Sequence, residues 1–405
     1  MTGSSAEFRR SLRSWGSLVA LAAAIWLIAN ACGSDDAPEP EASTPVATQT
    51  ASVAPPPDDN PDLLSDWGQL SARDGRLVLN DGVVPYSLNS ALFSDHAHKL
   101  RTVQLPAGAS PATYDPADVF SFPVGTVITK TFYYPVAEGS APDGMRVLRA
   151  DPTPADLADP LDLSSVRLIE TRVLVHRADG WHALPYVWDD TQTEATLQRI
   201  GDLVPLTLVD DDADTSFTYV VPDANQCANC HATNHTTGEI LPIGPAARHL
   251  NRDVDLGDGP TPQLVAWQDL GLLGDLPPAA DIPRAAMWDD DAATIEDRAR
   301  AYLDINCAHC HNRQGPADTS GLFLEATTAI GTEVGVCKAP IAAGSGTGGR
   351  LVGIAPGEPD ESIFIYRMGS IDPAEMMPEL GRSLVHDDGV ALISGWIEGL
   401  VGDCG

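Results

Sequence analysis

The sequence predicts a multidomain α+β protein, with an N-terminal β-rich domain in the form of a sandwich or barrel and a C-terminal all-α domain. Residues 63–222 contain runs in which apolar and polar side chains alternate, which is the period of a half-buried strand. No long helical pattern interrupts these runs, and this favours packed sheets. Residues 290–405 instead repeat apolar side chains three and four positions apart, as amphipathic helices do.

Residues 1–32 have the features of an export signal. Three arginines precede an apolar run, residues 15–28, that is shorter than a membrane span. Small residues then lead to Cys32, as in a bacterial lipobox, where the cysteine becomes the lipidated first residue. The sequence therefore predicts an exported lipoprotein of the periplasm or cell surface, held to a membrane by its lipid. A plain signal peptide with an incidental cysteine is the alternative.

Residues 33–62 are dominated by Ala, Pro, Ser, Thr and Asp. Such a segment has almost nothing to bury, and we expect a flexible, disordered linker.

Two stretches carry the prediction of the β-rich domain, residues 63–222. Residues 124–134 are dense in β-branched and aromatic side chains, which favour strands. Residues 169–175 and 181–188 flank the turn at Ala178-Asp179-Gly180, and this arrangement is typical of a β-hairpin.

Two copies of the pattern Cys-x-x-Cys-His follow that domain. The first joins Cys227 and Cys230 to His231, and the second joins Cys307 and Cys310 to His311. This pattern attaches c-type haem, because two thiols must reach the two vinyl groups of one porphyrin while the adjacent histidine faces the iron. Two motifs predict two covalently bound haem c groups, one in residues 223–289 and one in a cytochrome c-like domain of residues 290–405.

A zinc site or a redox dithiol is the rival interpretation of the two Cys-x-x-Cys pairs. Zinc ribbons usually leave about 15–20 residues between their pairs. The segment between Cys230 and Cys307 is several times longer, which favours haem.

His231 and His311 are the predicted proximal iron ligands. Distal ligands in small c-type cytochromes are often methionines. For the second haem we expect Met377, which directly precedes a proline, with Met376 as the alternative and Met368 as a third candidate.

The first haem has no such methionine after its motif. His249 is far enough from His231 to reach the opposite face of a porphyrin. Lys130 from the β-rich domain and an open position are the other possibilities, since an isolated histidine is often only a core or surface residue.

Helical periodicity occurs near both ends of the predicted C-terminal domain. Thr294 and Asp297 have the spacing of a capping box, and Ile295, Ala299, Tyr302 and Leu303 follow it on one stripe. Asp387 or Asp388 is the expected cap of a final helix. The apolar stripe of that helix is formed by Val390, Ile393, Ile397 and Leu400.

Two cysteines remain once the motifs and the lipobox are set aside. Cys337 and Cys404 form an even remainder in an oxidising compartment, so we expect a disulfide between them. Two unpaired buried thiols are the alternative.

The formal net charge of −33 excludes a nucleic-acid reader. An acidic surface steers basic redox partners, although adaptation for solubility or salt explains the charge equally well.

Several segments together resemble a little-characterised family of bacterial dihaem c-type cytochromes with an N-terminal β-rich domain. The resemblance runs from about Pro85 to the C-terminus and rests on residues 122–126, 226–231, 241–245, 306–312 and 376–381. Members of that family are often associated with parallel β-helix or sugar-dehydrogenase-like proteins. The resemblance implies electron transfer and identifies no substrate.

Three functions are consistent with these patterns. The leading one is an electron carrier between a periplasmic dehydrogenase, as donor, and a downstream cytochrome acceptor. The second is a dihaem peroxidase with an open first haem, in which His235, His249 or Glu239 acts as the acid–base group. The third is a surface docking lipoprotein, in which the β-rich domain recognises a polysaccharide or a protein.

Overall fold

The computed structural model describes residues 56–140, 144–149, 157, 159–210, 213–232, 234–341 and 343–405. Cys32, the export signal and the linker as far as residue 55 lie outside these residues. The strands are β1 (Leu70–Arg73), β2 (Arg76–Leu79), β3 (Val84–Tyr86), β4 (His98–Gln104), β5 (Val127–Pro135), β6 (Arg146–Leu148), β7 (Leu161–Asp162), β8 (Val166–Arg177), β9 (Gly180–Trp188), β10 (Ala195–Leu197), β11 (Asp202–Val209), β12 (Thr215–Val221), β13 (Asp253–Asp255) and β14 (Pro260–Pro262). The α-helices are α1 (Gln226–His231), α2 (Ala247–Leu250), α3 (Gln263–Asp269), α4 (Ile295–Cys307), α5 (Ile363–Gly369) and α6 (Asp387–Glu398).

A six-stranded antiparallel sheet forms the centre of the fold, in the order β10-β9-β8-β5-β4-β3. Two three-stranded sheets, β1-β2-β7 and β12-β11-β6, and the β13-β14 pair accompany it. The predicted hairpin is confirmed, because β8 and β9 pair up to Arg177 and Gly180 with two residues between them. Gly180 has a φ of 120°, a conformation that favours glycine at this turn.

Apolar clusters cover both faces of the central sheet. On one face, β5, β8 and β9 pack against β1 and β2. On the other face, Phe132 and Tyr134 of β5 pack against β11 and β12. Further along that second face, Ile128 of β5 and Val103 of β4 pack against α2 and α3. The stretch of sheet between these last two clusters borders the candidate site.

The expected C-terminal all-α cytochrome c-like domain is not found, so the predicted fold class is wrong. Among the described residues, strands hold 27% and helices 21%, which makes this part of the protein mainly β. Among the described residues beyond 290, α-helix is confined to α4, α5 and α6. The stretch between α4 and α5 is rich in glycine, which disfavours helix, and it forms short 3₁₀ turns instead.

The C-terminal segment is also tied to the central sheet by buried contacts. Ile305 of α4 belongs to the apolar cluster that includes Ile128 and Val103. The side-chain oxygen of Asn306 accepts the backbone N–H of Phe93 at 2.8 Å. The helical pattern in the sequence therefore marked individual helices and not an independent helical domain.

The two longest helices agree with their sequence patterns, except at one cap. Thr294 caps α4, and its Oγ1 accepts the backbone N–H of Asp297 at 3.1 Å. Side chains of α4 and α6 share one apolar cluster, as their stripes predict. The expected cap of α6 is wrong, because Asp387 and Asp388 lie inside its first turn, where a negative charge favours the helix dipole.

Residues 56–62, which the sequence assigns to the linker, contact the central sheet. The Tyr186 hydroxyl donates to the carbonyl of Pro61 at 2.8 Å, and the Arg177 guanidinium donates to the carbonyl of Asp59 at 2.9 Å. None of the helices in the described part of the chain is long and apolar enough to cross a membrane.

Candidate functional site

The first Cys-x-x-Cys-His motif forms α1, which follows β12 almost directly. The Asp223 carboxylate accepts the backbone N–H groups of Asn225 and Gln226 at 2.7 and 2.9 Å. The Gln226 side chain accepts the N–H of Asp223 in return, at 3.0 Å. These bonds fix the start of the helix and bury Cys227 against the fold.

His231 has one ring nitrogen engaged and the other available. Its Nδ1 lies 2.8 Å from the carbonyl oxygen of Leu241, which can only accept, so Nδ1 carries the proton. Nε2 then keeps its lone pair for a metal. Burial, and then the charge of Lys130, lower the pKa of His231 to about 4, so the ring is neutral at pH 7.

The second motif begins at the last residue of α4. The backbone N–H of His311 donates to the carbonyl of Cys307 at 2.9 Å, which continues the helical turn beyond Cys307. His311 Nδ1 lies 3.3 Å from the Ser320 hydroxyl, which itself donates to a carbonyl. The ring therefore donates through Nδ1, which leaves Nε2 available, as in His231.

The two motifs, distant in the sequence, lie side by side. Ligand atoms of Cys230, His309 and Cys310 all lie within 4.8 Å of one another. The Cys310 thiol donates to the carbonyl of Asn229 at 3.4 Å. Further along, the carbonyl of Gln314 accepts both the backbone N–H and Nδ1–H of His235.

The contact between Cys230 and Cys310 shifts the pKa values of the two thiols in opposite directions. The interaction with Cys310 lowers the pKa of Cys230, whereas the same interaction raises the pKa of Cys310. Cys307 lies apart from this pair, and burial raises its pKa to about 12.

Cys227, Cys230 and His231 line a cavity of about 160 Å³ beside the second face of the central sheet. Apolar side chains supply much of its wall, among them Ile128, Leu174 and Ile305. The polar and charged side chains in the wall include Arg101, Lys130, Arg172, His249, His309 and Arg382. Ligand pockets usually measure about 300–1,000 Å³. A porphyrin therefore fits this cavity only if the side chains of its wall move outwards.

His249 lies in the wall of this cavity and is 4% exposed. Its Nε2 donates to Asp304 Oδ2 at 2.7 Å, while Nδ1 has no hydrogen-bond partner among the described residues. Asp304 also accepts from Arg248 Nε at 2.6 Å. Burial raises the pKa of Asp304, but the bonds from His249 and Arg248 outweigh it and hold that pKa well below its usual value.

The methionine candidates lie in a loop organised by two arginines. The backbone N–H of Met377 donates to the carbonyl of Arg367 at 2.9 Å, and its carbonyl accepts from Arg382 Nη2 at 2.9 Å. Met376 is the more buried of the pair. Met368 packs in the apolar cluster that also contains Cys307.

Arg367, which contacts this loop, also lies near the second motif. Burial is the main cause that lowers the pKa of His311 to about 4, and the charges of His309 and Arg367 add to it. Arg367 is therefore in electrostatic reach of His311 and in backbone contact with Met377.

Two other predicted groups lie away from the cavity. His235 and Glu239 are exposed and are not among its lining residues. Cys337 and Cys404 form a disulfide that ties the segment after α4 to the C-terminus.

Sequence reasoning missed Asp304 and three of the cations in the cavity wall, Arg101, Arg172 and Arg382. Arg101 and Arg172 carried a signal, because each is a basic residue inside a strand pattern of a strongly acidic chain. Asp304 carried none, since it reads as a polar position on an amphipathic helix.

The chemistry of the donor set fits a c-type haem, since two thiols, an imidazole with a free Nε2 and cations for carboxylate groups line one cavity, whereas the volume of that cavity is smaller than a porphyrin site. Comparison with known proteins adds no assignment, since no protein-family model, no curated protein and no solved structure matches this chain.

Proposed function

We propose that this chain is an exported dihaem c-type cytochrome that transfers electrons. One haem is attached at Cys227 and Cys230, and the other at Cys307 and Cys310. The observation that carries the proposal is the packing of the two motifs against each other, with donor atoms of Cys230, His309 and Cys310 within 4.8 Å. Attachment sites this close would hold two haems near enough to each other to exchange electrons.

His231 and His311 are the proposed proximal ligands. In each, a hydrogen bond donated by Nδ1–H orients the ring and leaves Nε2 available for the iron. When bound, the haems supply one-electron chemistry whose potential depends on the axial ligands and on burial.

His249 is the proposed distal ligand at the first site. A buried imidazole nitrogen without a partner is costly, and Nδ1 of His249 is such an atom beside the cavity of the first motif. Asp304 accepts from the opposite ring nitrogen and so makes the ring a stronger donor. At the second site we propose Met377, with Met376 as the alternative.

The proposed partners are redox proteins: a dehydrogenase as the donor and a cytochrome as the acceptor. A net charge of −33 favours partners with a basic docking surface. Lipidation at Cys32 would hold the protein at a membrane while it meets them.

The test is the absorption spectrum of the dithionite-reduced protein, produced in a host that matures c-type haem. We expect c-type bands that carbon monoxide leaves unchanged, because both irons have two protein ligands. A shift in about half of the haem would contradict the closed first site and favour a peroxidase. A protein without c-type bands would exclude the proposal altogether.

A metal site is the second candidate, and the same cluster favours it. Cys230, His309 and Cys310 offer three ligands of the types that zinc prefers. The two candidates are mutually exclusive, since a thioether at Cys230 or Cys310 removes that thiolate. Thiol titration of the denatured protein separates them: haem attachment leaves the four motif cysteines unreactive, whereas a metal site releases them as free thiols.

A further inference from the structure

Three cations form a row across the central sheet. Arg101 of β4 lies directly opposite Lys130 of β5, and Lys130 lies directly opposite Arg172 of β8. Residues that pair directly across strands share a face, so the three side chains are neighbours on one surface. The row lies between Ile128 and Phe132, which contribute to the two apolar clusters of that face.

Such a row opposes folding. Like charges directly opposite each other destabilise a sheet, and burial makes the repulsion stronger. Burial, followed by the charges of Arg172 and Arg101, lowers the pKa of Lys130 to about 7. Burial also lowers the pKa of Arg101.

One carboxylate compensates only one end of the row. Glu170 accepts from Arg172 Nε at 2.8 Å and from the Tyr219 hydroxyl at 2.7 Å, so its oxygens are already engaged. Among the described residues, no salt bridge joins Arg101 or Lys130 to an acidic side chain. In a chain with 57 acidic residues and 24 basic ones, the buried Arg101 and the half-buried Lys130, both without a salt bridge to a carboxylate, point to a missing anion.

The row opens on the cavity of the first motif. Arg101, Lys130 and Arg172 line it together with Cys227 and His231. An anion bound there is therefore held by the same cavity as the proposed first haem, which carries two carboxylate groups on its propionate arms.

We propose that Arg101 and Lys130, with Arg172 beside them, bind the propionate carboxylates of the haem attached at Cys227 and Cys230. The inference rests on the proposed function and gives the row a specific role in it. A carboxylate between the cations removes their mutual repulsion and forms charge-assisted hydrogen bonds in a region of low dielectric. Lys130 acts here as an ammonium donor and not as an iron ligand.

The test uses the full-length protein with Arg101→Gln and Lys130→Met, singly and together. Lys338→Met, at a lysine that does not line the cavity, is the matched control. Mass spectrometry first establishes that two haems are attached, and absence of haem from the wild type would refute the proposed function itself. The midpoint potential of each haem is then measured by spectroelectrochemistry, with carbon monoxide binding as a second readout.

Removing a cation beside a haem favours the oxidised state, so its potential falls. We expect one haem to shift by about tenfold in its reduction equilibrium, which is about 59 mV for one electron. The other haem and the Lys338→Met protein should keep their potentials. The variant Lys130→Arg should restore the midpoint potential of the first haem. Unchanged potentials in the double variant would overturn the inference. So would carbon monoxide binding by Lys130→Met, since that result would make Lys130 an iron ligand.

Discussion

At the residue scale, His249 differs from the other histidine near the first motif in how its ring is used. His235 is exposed, and its Nδ1 is satisfied by a carbonyl. His249 is buried, with one nitrogen bound to Asp304 and the other without a partner. The sequence could place His249 among the candidates by its distance from His231 alone. Its buried, half-satisfied state depends on contacts between α2 and α4, which no local pattern encodes.

Under the proposed function, we expect His249→Ala to open one of the two haem irons. The reduced spectrum of the variant should change on addition of carbon monoxide in about half of its haem, because the imidazole that would bind that iron is missing. His235→Ala is the control and should remain insensitive to the gas. If His249→Ala is equally insensitive, another residue is the distal ligand.

Asp304→Ala should destabilise the fold by about 3 kcal/mol, since it leaves the half-buried Arg248 without its charge partner and the buried His249 without an acceptor. Urea unfolding followed by circular dichroism measures the change. Asp297 lies on the exposed first turn of the same helix. The Asp297→Ala variant should therefore lower the free energy of unfolding by only about 1 kcal/mol. Equal losses in the two variants would show that Asp304 has no special structural role.

At the element scale, the sequence patterns were reliable where residues close together in the chain form the hydrogen bonds of an element. The turn at Ala178-Asp179 and the cap at Thr294 depend on neighbours in the chain, and both were predicted. The cap of α6 was not, because His386 precedes the helix and its ring is bound to Tyr302 of α4 instead. Tertiary packing, which the local pattern does not contain, determined where α6 begins.

Two glycines of α6 provide a test of how closely it packs on α4. A Cβ added at Gly389 would lie 2.3 Å from the Tyr302 hydroxyl oxygen and 2.6 Å from its ring carbon Cζ. Because Tyr302 is buried, we expect Gly389→Ala to lower the free energy of unfolding by about 1–3 kcal/mol. Urea unfolding of the variant measures this loss.

Gly395→Ala is the matched control. Its Cβ would approach only the end of the Ile295 side chain, at 3.1 Å. Alanine is the better helix former by about 1 kcal/mol, so this variant should be neutral or slightly more stable. A stable Gly389→Ala protein would mean that the two helices are separated in solution.

At the scale of the whole molecule, the sequence divided the chain into a β-rich domain and a helical one, while buried polar contacts join these parts. Asp304 bonds to His249, Asn306 to Phe93, and Asp95 to the segment that leads into α6. Each contact pairs side chains with backbone or side-chain groups far away in the sequence. Periodicity reports which face of an element is apolar but not which element covers it, so an independent helical domain was predicted where none forms.

Asp95 makes this connection sensitive to pH. Its Oδ1 accepts the backbone N–H groups of Ser383 and Leu384 at 2.7 and 2.8 Å. Burial raises the pKa of Asp95 to about 6, against smaller lowering by those N–H groups and by the charges of Arg382 and Lys99. In the unfolded chain the pKa returns to about 3.9.

The sign of the effect follows from these two values. Between pH 4 and 6 the folded protein holds a proton on Asp95 that the unfolded chain has released, so this group's contribution to stability falls as pH rises. A shift of two pKa units corresponds to about 3 kcal/mol, and this stabilisation is lost once the pH exceeds 6.

Asp95→Asn keeps the Oδ1 acceptor and does not titrate, so its stability advantage over the wild type should grow between pH 4.5 and pH 7.5. Urea unfolding at both pH values measures that difference, with Asp95→Ala as the variant that loses the acceptor and is weaker at both. An Asn variant whose advantage is the same at both pH values would show that Asp95 is ionised throughout, and that its two N–H donors and neighbouring cations outweigh its burial.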